Sequence, residues 1–332
     1  MMNIEAENNY RIEKELGFGR LAFFLAISFF LCSLFPLSFF APVPLATALL
    51  LYGRKVGLGS IGLIGVAMAL ASSMYPPMLF VTGVYFFAVI YALCIYLIIE
   101  KDMHPVTGMM GFGALLVFIM GVFFAILIGT SDFNYQLEME KLIIRYFNEL
   151  KETNSEFLAN GGQEARNLID LLSNPKEVVS GVMQIIPASL FVSTFIGMWA
   201  GLFLVLRNSG LWSRFHDYSY SLDELVKFKT PDYTIFVLIL GLALVLGGEF
   251  ISGGAGVIWG KNILYCLSVF YFIQGFGVFI DCLTAWKLIG FFRSFLIIFT
   301  IFTGWKFLTA IGLFDIWINF RKFLKNNNEG DK

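Results

Sequence analysis

The stretch "FFAPVPLATALLLYGRKVG", Phe39–Gly57, decides how the chain is read. It begins as the tail of one apolar run, takes Pro42 and Pro44 almost together, turns apolar again and stops at Arg54-Lys55, with Pro36 just upstream. Proline inside a helix removes a hydrogen bond and clashes with the preceding turn, at about 3 kcal/mol or more. At a helix's first turn it costs little, because the missing N–H has no partner there. The spacing therefore predicts the end of one span, a turn, and a short second helix that returns toward Arg54-Lys55. One alternative stays open: these prolines hold backbone apart to line a cavity, the condition under which irregular backbone is tolerated at membrane depth.

The surroundings place this stretch in a bilayer. The chain has 332 residues, of which 58% are hydrophobic and 14% charged, and its mean hydropathy is +0.77. Soluble domains are about a quarter charged, and here long windows approach the roughly 20 apolar residues of a spanning helix. The fold class that follows is all-α, a polytopic bundle of about 8–10 membrane segments. A net charge of -1 gives no global field for nucleic acid. Cys32, Cys94, Cys266 and Cys282 sit in separate apolar segments without paired spacing, which argues against metal or redox chemistry. The N-terminal twenty residues mix acidic and basic side chains, and the run that follows has no clear cleavage site. It reads as a retained first span.

Five regions emerge: a tail at 1–20, a first transmembrane group at 21–130, an acidic insert at 131–180, a second transmembrane group at 181–320 with a polar loop at 207–232, and a basic tail at 321–332. Within the first group the apolar segments run 21–35, 45–52, 58–74, then from Pro76-Pro77 to 99, and 106–129. The second group has segments at 182–206, 233–248, 263–283 and 289–320, the last too long for one simple span and interrupted by Trp305-Lys306. The insert carries nine acidic against five basic residues, with amphipathic spacing in "YQLEMEKLIIRYFNELKE". Asn174-Pro175-Lys176-Glu177 reads as a helix start. Placing the N-terminus in the cytoplasm puts most Lys and Arg of short loops inside. The insert then lies outside, and the basic tail is inside only if 289–320 crosses twice.

No nucleophile, acid/base pair or metal-ligand cluster assembles from the sequence, so a membrane enzyme ranks third among the readings and no cofactor or metal is expected. His104 and His216 read as exposed loop histidines. Polar groups near spans are the better pointers. Glu249 and Lys261-Asn262 flank the glycine-rich "SGGAG", and Gln274 lies inside a span; these four are candidate solute contacts, weighed against headgroup-level charges and interhelical hydrogen bonding. Asp315 is a candidate partner for Arg321. Ala22-x-x-x-Ala26, Gly65-x-x-x-Ala69, Gly197-x-x-x-Gly201 and Gly256-x-x-x-Gly260 permit close helix approach, with Ala22 and Ala26 also a candidate external docking face.

Taken in order, Pro42-x-Pro44 leading to Arg54 and Gly57, Phe228-x-x-Pro231-Asp232, Asn262 followed by Gln274-Gly275, and Gly312-x-x-Asp315-x-Trp317-x-x-Phe320-Arg321-Lys322 resemble the YybS-like family of bacterial membrane proteins, over nearly the whole chain. That family is similar at fold level to the substrate-binding S components of energy-coupling-factor transporters, whose alanine-motif helices dock a coupling subunit. The resemblance implies a multi-pass protein of the bacterial cytoplasmic membrane with a lipid bilayer, a small solute and a coupling or envelope protein as partners, and it carries no catalytic residues. The competing expectation is a non-transporting scaffold that recruits envelope or division partners through 131–180 and 207–232.

Overall fold

The computed structural model describes residues 17–75, 78–130, 135–153, 162–163, 174–252 and 254–323. Among them every regular element is helical: α1 Phe18–Ser33, a short 3-10 turn Phe35–Phe40, α2 Pro42–Met74, α3 Met78–Glu100, α4 Pro105–Thr130, α5 Tyr135–Thr153, α6 Pro175–Arg207, a 3-10 turn Ser209–Leu211, α7 Leu222–Val226, α8 Thr234–Ser252, α9 Ala255–Ala285, α10 Gly290–Thr303 and α11 Trp305–Ile318. Five of the described helices are long and apolar enough to cross a membrane, or six if α10 and α11 count as one broken span. The all-α polytopic bundle expected from composition is therefore present, with five or six candidate spans among the described residues against the about 8–10 segments read from the sequence, because several apolar segments form helices too short to cross alone. The call on Pro76-Pro77 lies outside the described residues, as does most of the insert between α5 and α6.

Two compact units divide the chain. The first takes Met1–Ala114, Ser193–Thr230 and Val269–Lys332; the second takes Leu115–Val192 and Pro231–Ser268.

In the first unit the opening stretch is resolved. Pro42 and Pro44 occupy the first turn of α2, where proline is tolerated. At Gly53 the backbone takes φ 73° and ψ 176°, which breaks α2. Only glycine adopts that conformation without strain. The break leaves a helix of about 16 Å at 42–52, about half the hydrocarbon thickness. Leu45, Ala46, Ala48 and Leu49 within it are fully buried, as expected of a helix apolar on all sides. The remainder of α2 packs antiparallel on α3: the Tyr85 hydroxyl donates to the Ile61 carbonyl at 3.1 Å and the Thr82 hydroxyl to the Met68 carbonyl at 3.3 Å.

The C-terminal stretch of this unit is two short helices rather than one long one. α9 and α11 run parallel, since Tyr271 faces Gly312 and Gln274 faces Asp315 in the same order. α10 starts beside the end of α9, with Arg293 Nη2 donating to Thr284 Oγ1 at 3.1 Å. Arg321, just past α11, returns to Asp281 of α9 at 3.2 Å. Each of α10 and α11 has 14 residues, about 21 Å, short of the roughly 30 Å hydrocarbon core. The pair enters and leaves at the same end of the unit. The two helices meet at 91° across Gly304, which brings Arg321 back beside the end of α9.

In the second unit α6 is longer than its apolar run implied. It starts at Pro175, with Glu177 in its first turn and Pro187 inside it. α9 likewise begins at Ala255 rather than near 263, because Gly254, at φ 95°, turns the chain tightly enough for a helix to start at once.

Candidate functional site

The densest buried polar cluster lies in the first unit, where α9 crosses α11. At Gly275 a Cβ would overlap the Leu308 carbonyl oxygen, and at Gly312 it would overlap that of Tyr271. The two backbones therefore touch, which only glycine on both sides allows. Beside this crossing Gln274, with no exposed surface, uses both ends of its amide. Its Oε1 accepts the Thr230 N–H at 2.8 Å, and its Nε2 donates to Asp315 Oδ2 at 2.9 Å. Asp315 Oδ1 accepts the Phe320 N–H at 2.8 Å. Asp315 does not pair with Arg321. Asn319 adopts the left-handed conformation, φ 51°, which folds the Phe320 N–H back onto Asp315. Arg321 Nη2 instead donates to the Val226 carbonyl at 3.0 Å. Its Nε lies 3.2 Å from Asp281 Oδ2 without aligned hydrogen-bond geometry, an ion pair by distance alone. Gln274, Gly275, Asp315 and Arg321 thus meet in one place, while Trp317 points away, 59% exposed.

The proline segment borders a cavity of about 430 Å³, lined by Ser38, Phe39, Pro42, Tyr91, Ser193 and Gly197 among others. Pro42 and Pro44 are buried, Gly57 is buried against Leu49, and Arg54 is exposed just beyond the Gly53 break. Tyr91, which hydrogen-bonds Thr194, carried no signal in the sequence, because an aromatic in a span is ordinarily packing.

His216 is not a free loop histidine. Its Nε2 lies 2.8 Å from the Leu50 carbonyl, in the last turn of the buried helix, and its Nδ1 lies 3.0 Å from Glu100 Oε2. A carbonyl only accepts, so Nε2 carries a hydrogen. His216 therefore caps the helix that ends at Gly53, with Glu100 beside its other ring nitrogen at ion-pair distance. Nearby, Asp102 accepts the Ser219 N–H at 2.8 Å and its hydroxyl at 2.6 Å, and these bonds hold the Asp102 carboxyl below its ordinary range. The other histidine, His104, stacks edge-on against Tyr220.

In the second unit Asn262 occupies a defect in α6. Pro187 lies inside that helix. Asn262 Oδ1 accepts the Ala188 N–H at 3.1 Å, and its Nδ2 donates to the Gln184 carbonyl at 2.8 Å. Those two groups are the i and i−4 partners of one helical turn, and the amide bridges them beside Pro187. A proline in a span and a polar amide in another were both visible in the sequence, and their complementarity was the missed signal. Glu249 and Lys261 are exposed, with no ion pair between them among the described residues. Ala22 and Ala26 of α1 are likewise exposed. No group of three or more metal-ligating side chains occurs among the described residues.

The chain belongs to the family DUF2232, described as a predicted membrane protein, whose model matches residues 21–316. No curated protein and no solved structure matches the chain.

Proposed function

We propose that this DUF2232 membrane protein binds a small solute inside its helical bundle, as a transport-related protein resembling an S component, in the cytoplasmic membrane with its N-terminus inside. One observation carries the reading. The chain keeps a short, largely buried helix between a proline start and a glycine break, and an open groove of about 430 Å³ lies against its first turn. Broken helices at membrane depth serve binding sites in transporters because their ends supply polar backbone groups where no water competes. The cavity falls in the size range of small-molecule sites, roughly 300–1,000 Å³. Its lining of Phe39, Pro42 and Tyr91 with the hydroxyls of Ser38 and Ser193 suits a compact, mostly apolar or aromatic solute with a hydrogen-bonding group. Gln274 and Asn262 act here as positioning residues, holding helices in register rather than touching solute.

The test is thermal unfolding of the purified protein across a metabolite panel. A cavity ligand is expected to raise the melting temperature of the wild type and not that of Gly197→Leu, whose side chain would meet Tyr91, 2.9 Å from a Cβ at that position. A panel without any shift, together with no ATP-hydrolysing partner on co-purification, would sink the reading.

A further inference from the structure

A second cleft in the first unit, about 580 Å³, lies where α6, α9 and α10 meet the basic end. Arg207, Thr284 and Arg293 line its rim, from three different helices. Phe203, Ile280 and Ile297 line it as well. Each of these is four residues from a rim residue on the same helix, and in each case on the membrane side. α6 and α9 run toward this end, so 203 and 280 lie deeper than 207 and 284; α10 runs away from it, so 297 lies deeper than 293. Residues four apart share one helix face, so the cleft has two tiers: a polar, cationic rim and an apolar floor about one helical turn, roughly 5.4 Å, further in.

The charges of the lining do not cancel at the rim. Asp223 is engaged by Lys227 at 3.5 Å and Asp281 by Arg321 at 3.2 Å. Arg207 and Arg293 have no carboxylate partner among the described residues, and Arg293 is held in place by Thr284 at 3.1 Å. Two guanidiniums facing one cleft, with the Thr284 and Ser294 hydroxyls beside them, match the oxygens of a phosphate group. A free anion would need no apolar floor. We propose that this cleft binds the phosphate-bearing headgroup of an anionic lipid, with the first part of an acyl chain against Phe203, Ile280 and Ile297.

The proposal is tested on delipidated, detergent-purified full chain by native mass spectrometry, titrating phosphatidylglycerol and, separately, phosphatidylcholine. A basic side chain near a membrane surface is worth about 1 kcal/mol toward anionic lipid, roughly fivefold, so R207Q/R293Q should weaken phosphatidylglycerol retention on the order of 25-fold. R54Q/K55Q, which removes equal charge outside the cleft, should leave it unchanged. I297N should weaken the lipid, and millimolar inorganic phosphate should not displace it. Should the glutamine variants not fold, R207K/R293K, which keeps the charge and loses the fork, is expected to bind more weakly than wild type. Equal retention of both lipids, equal losses in R54Q/K55Q, or unchanged binding in every cleft variant would each overturn the site. Displacement by inorganic phosphate with no effect of I297N would overturn the lipid in favour of a free anion.

Discussion

Asn262→Ala removes the amide inserted into α6 at Pro187. Its loss strands the Ala188 N–H, on a residue 1% exposed, and the Gln184 carbonyl. An unsatisfied buried donor costs about 1–3 kcal/mol. Interhelical hydrogen bonds in membrane bundles average about 0.6 and reach about 1.7 kcal/mol, because neighbouring groups find substitutes. Gln184 is exposed, so its carbonyl recovers part of its loss, and Ala188 dominates. The expected destabilisation is about 1.5–3 kcal/mol, weighted to the buried donor. Pro187→Ala restores an N–H for the Met183 carbonyl and removes the ring clash, so α6 tightens enough for Ala188 to bond Gln184 within the helix. In that background Asn262→Ala should cost less than about 0.5 kcal/mol, a coupling of about 1 kcal/mol or more, within the range for residues in one hydrogen-bond network. Reversible unfolding in mixed micelles on all four members of the cycle measures this. Additive effects, with Asn262→Ala costing as much in Pro187→Ala as in wild type, would refute the inserted-amide reading.

Three further outcomes are expected. Gly312→Ala drives a methyl into the Tyr271 carbonyl and should cost about 1–3 kcal/mol, as overpacking does, lowering the melting temperature and reducing disulfide trapping between cysteines placed at 271 and 309. Glu100→Ala removes the partly exposed carboxylate 3.0 Å from His216 Nδ1 and should cost no more than about 1 kcal/mol in thermal unfolding, the worth of a partly exposed ion pair; a larger loss would refute that reading of the contact. Asp102 is held below its unfolded value by the Ser219 hydroxyl and backbone N–H, so its contribution is present above the unfolded carboxylate value of about 3.9 and lost as pH falls through the folded one. Hydrogen exchange in the 208–221 loop should accelerate over that acid window in wild type and stay flat in Asp102→Asn.

Much of the fold was legible in the residues. Apolar windows without charge can only be satisfied as helices in a bilayer, and the order Pro42, Pro44, Arg54, Gly57 gave a helix start and stop from backbone chemistry alone. The break at Gly53 was not legible, since glycine in a span is common and only its dihedral angles separate packing from a kink. The final stretch, 289–320, was ambiguous for a related reason: hydropathy measures length along the chain and not direction in space, and the 91° bend at Gly304 appears only in the packed structure.

The candidate sites divide along the same line. Composition determined that Gln274, Asn262 and Asp315 needed partners, because a polar group in hydrocarbon is costly unless bonded. Which partner each took depended on residues far apart in sequence: Gln274 found Thr230 and Asp315, Asn262 found the defect at Pro187, and His216 found Leu50 and Glu100. A sequence states the demand of each polar group locally, whereas its satisfaction is a matter of distance and angle that only helix packing supplies.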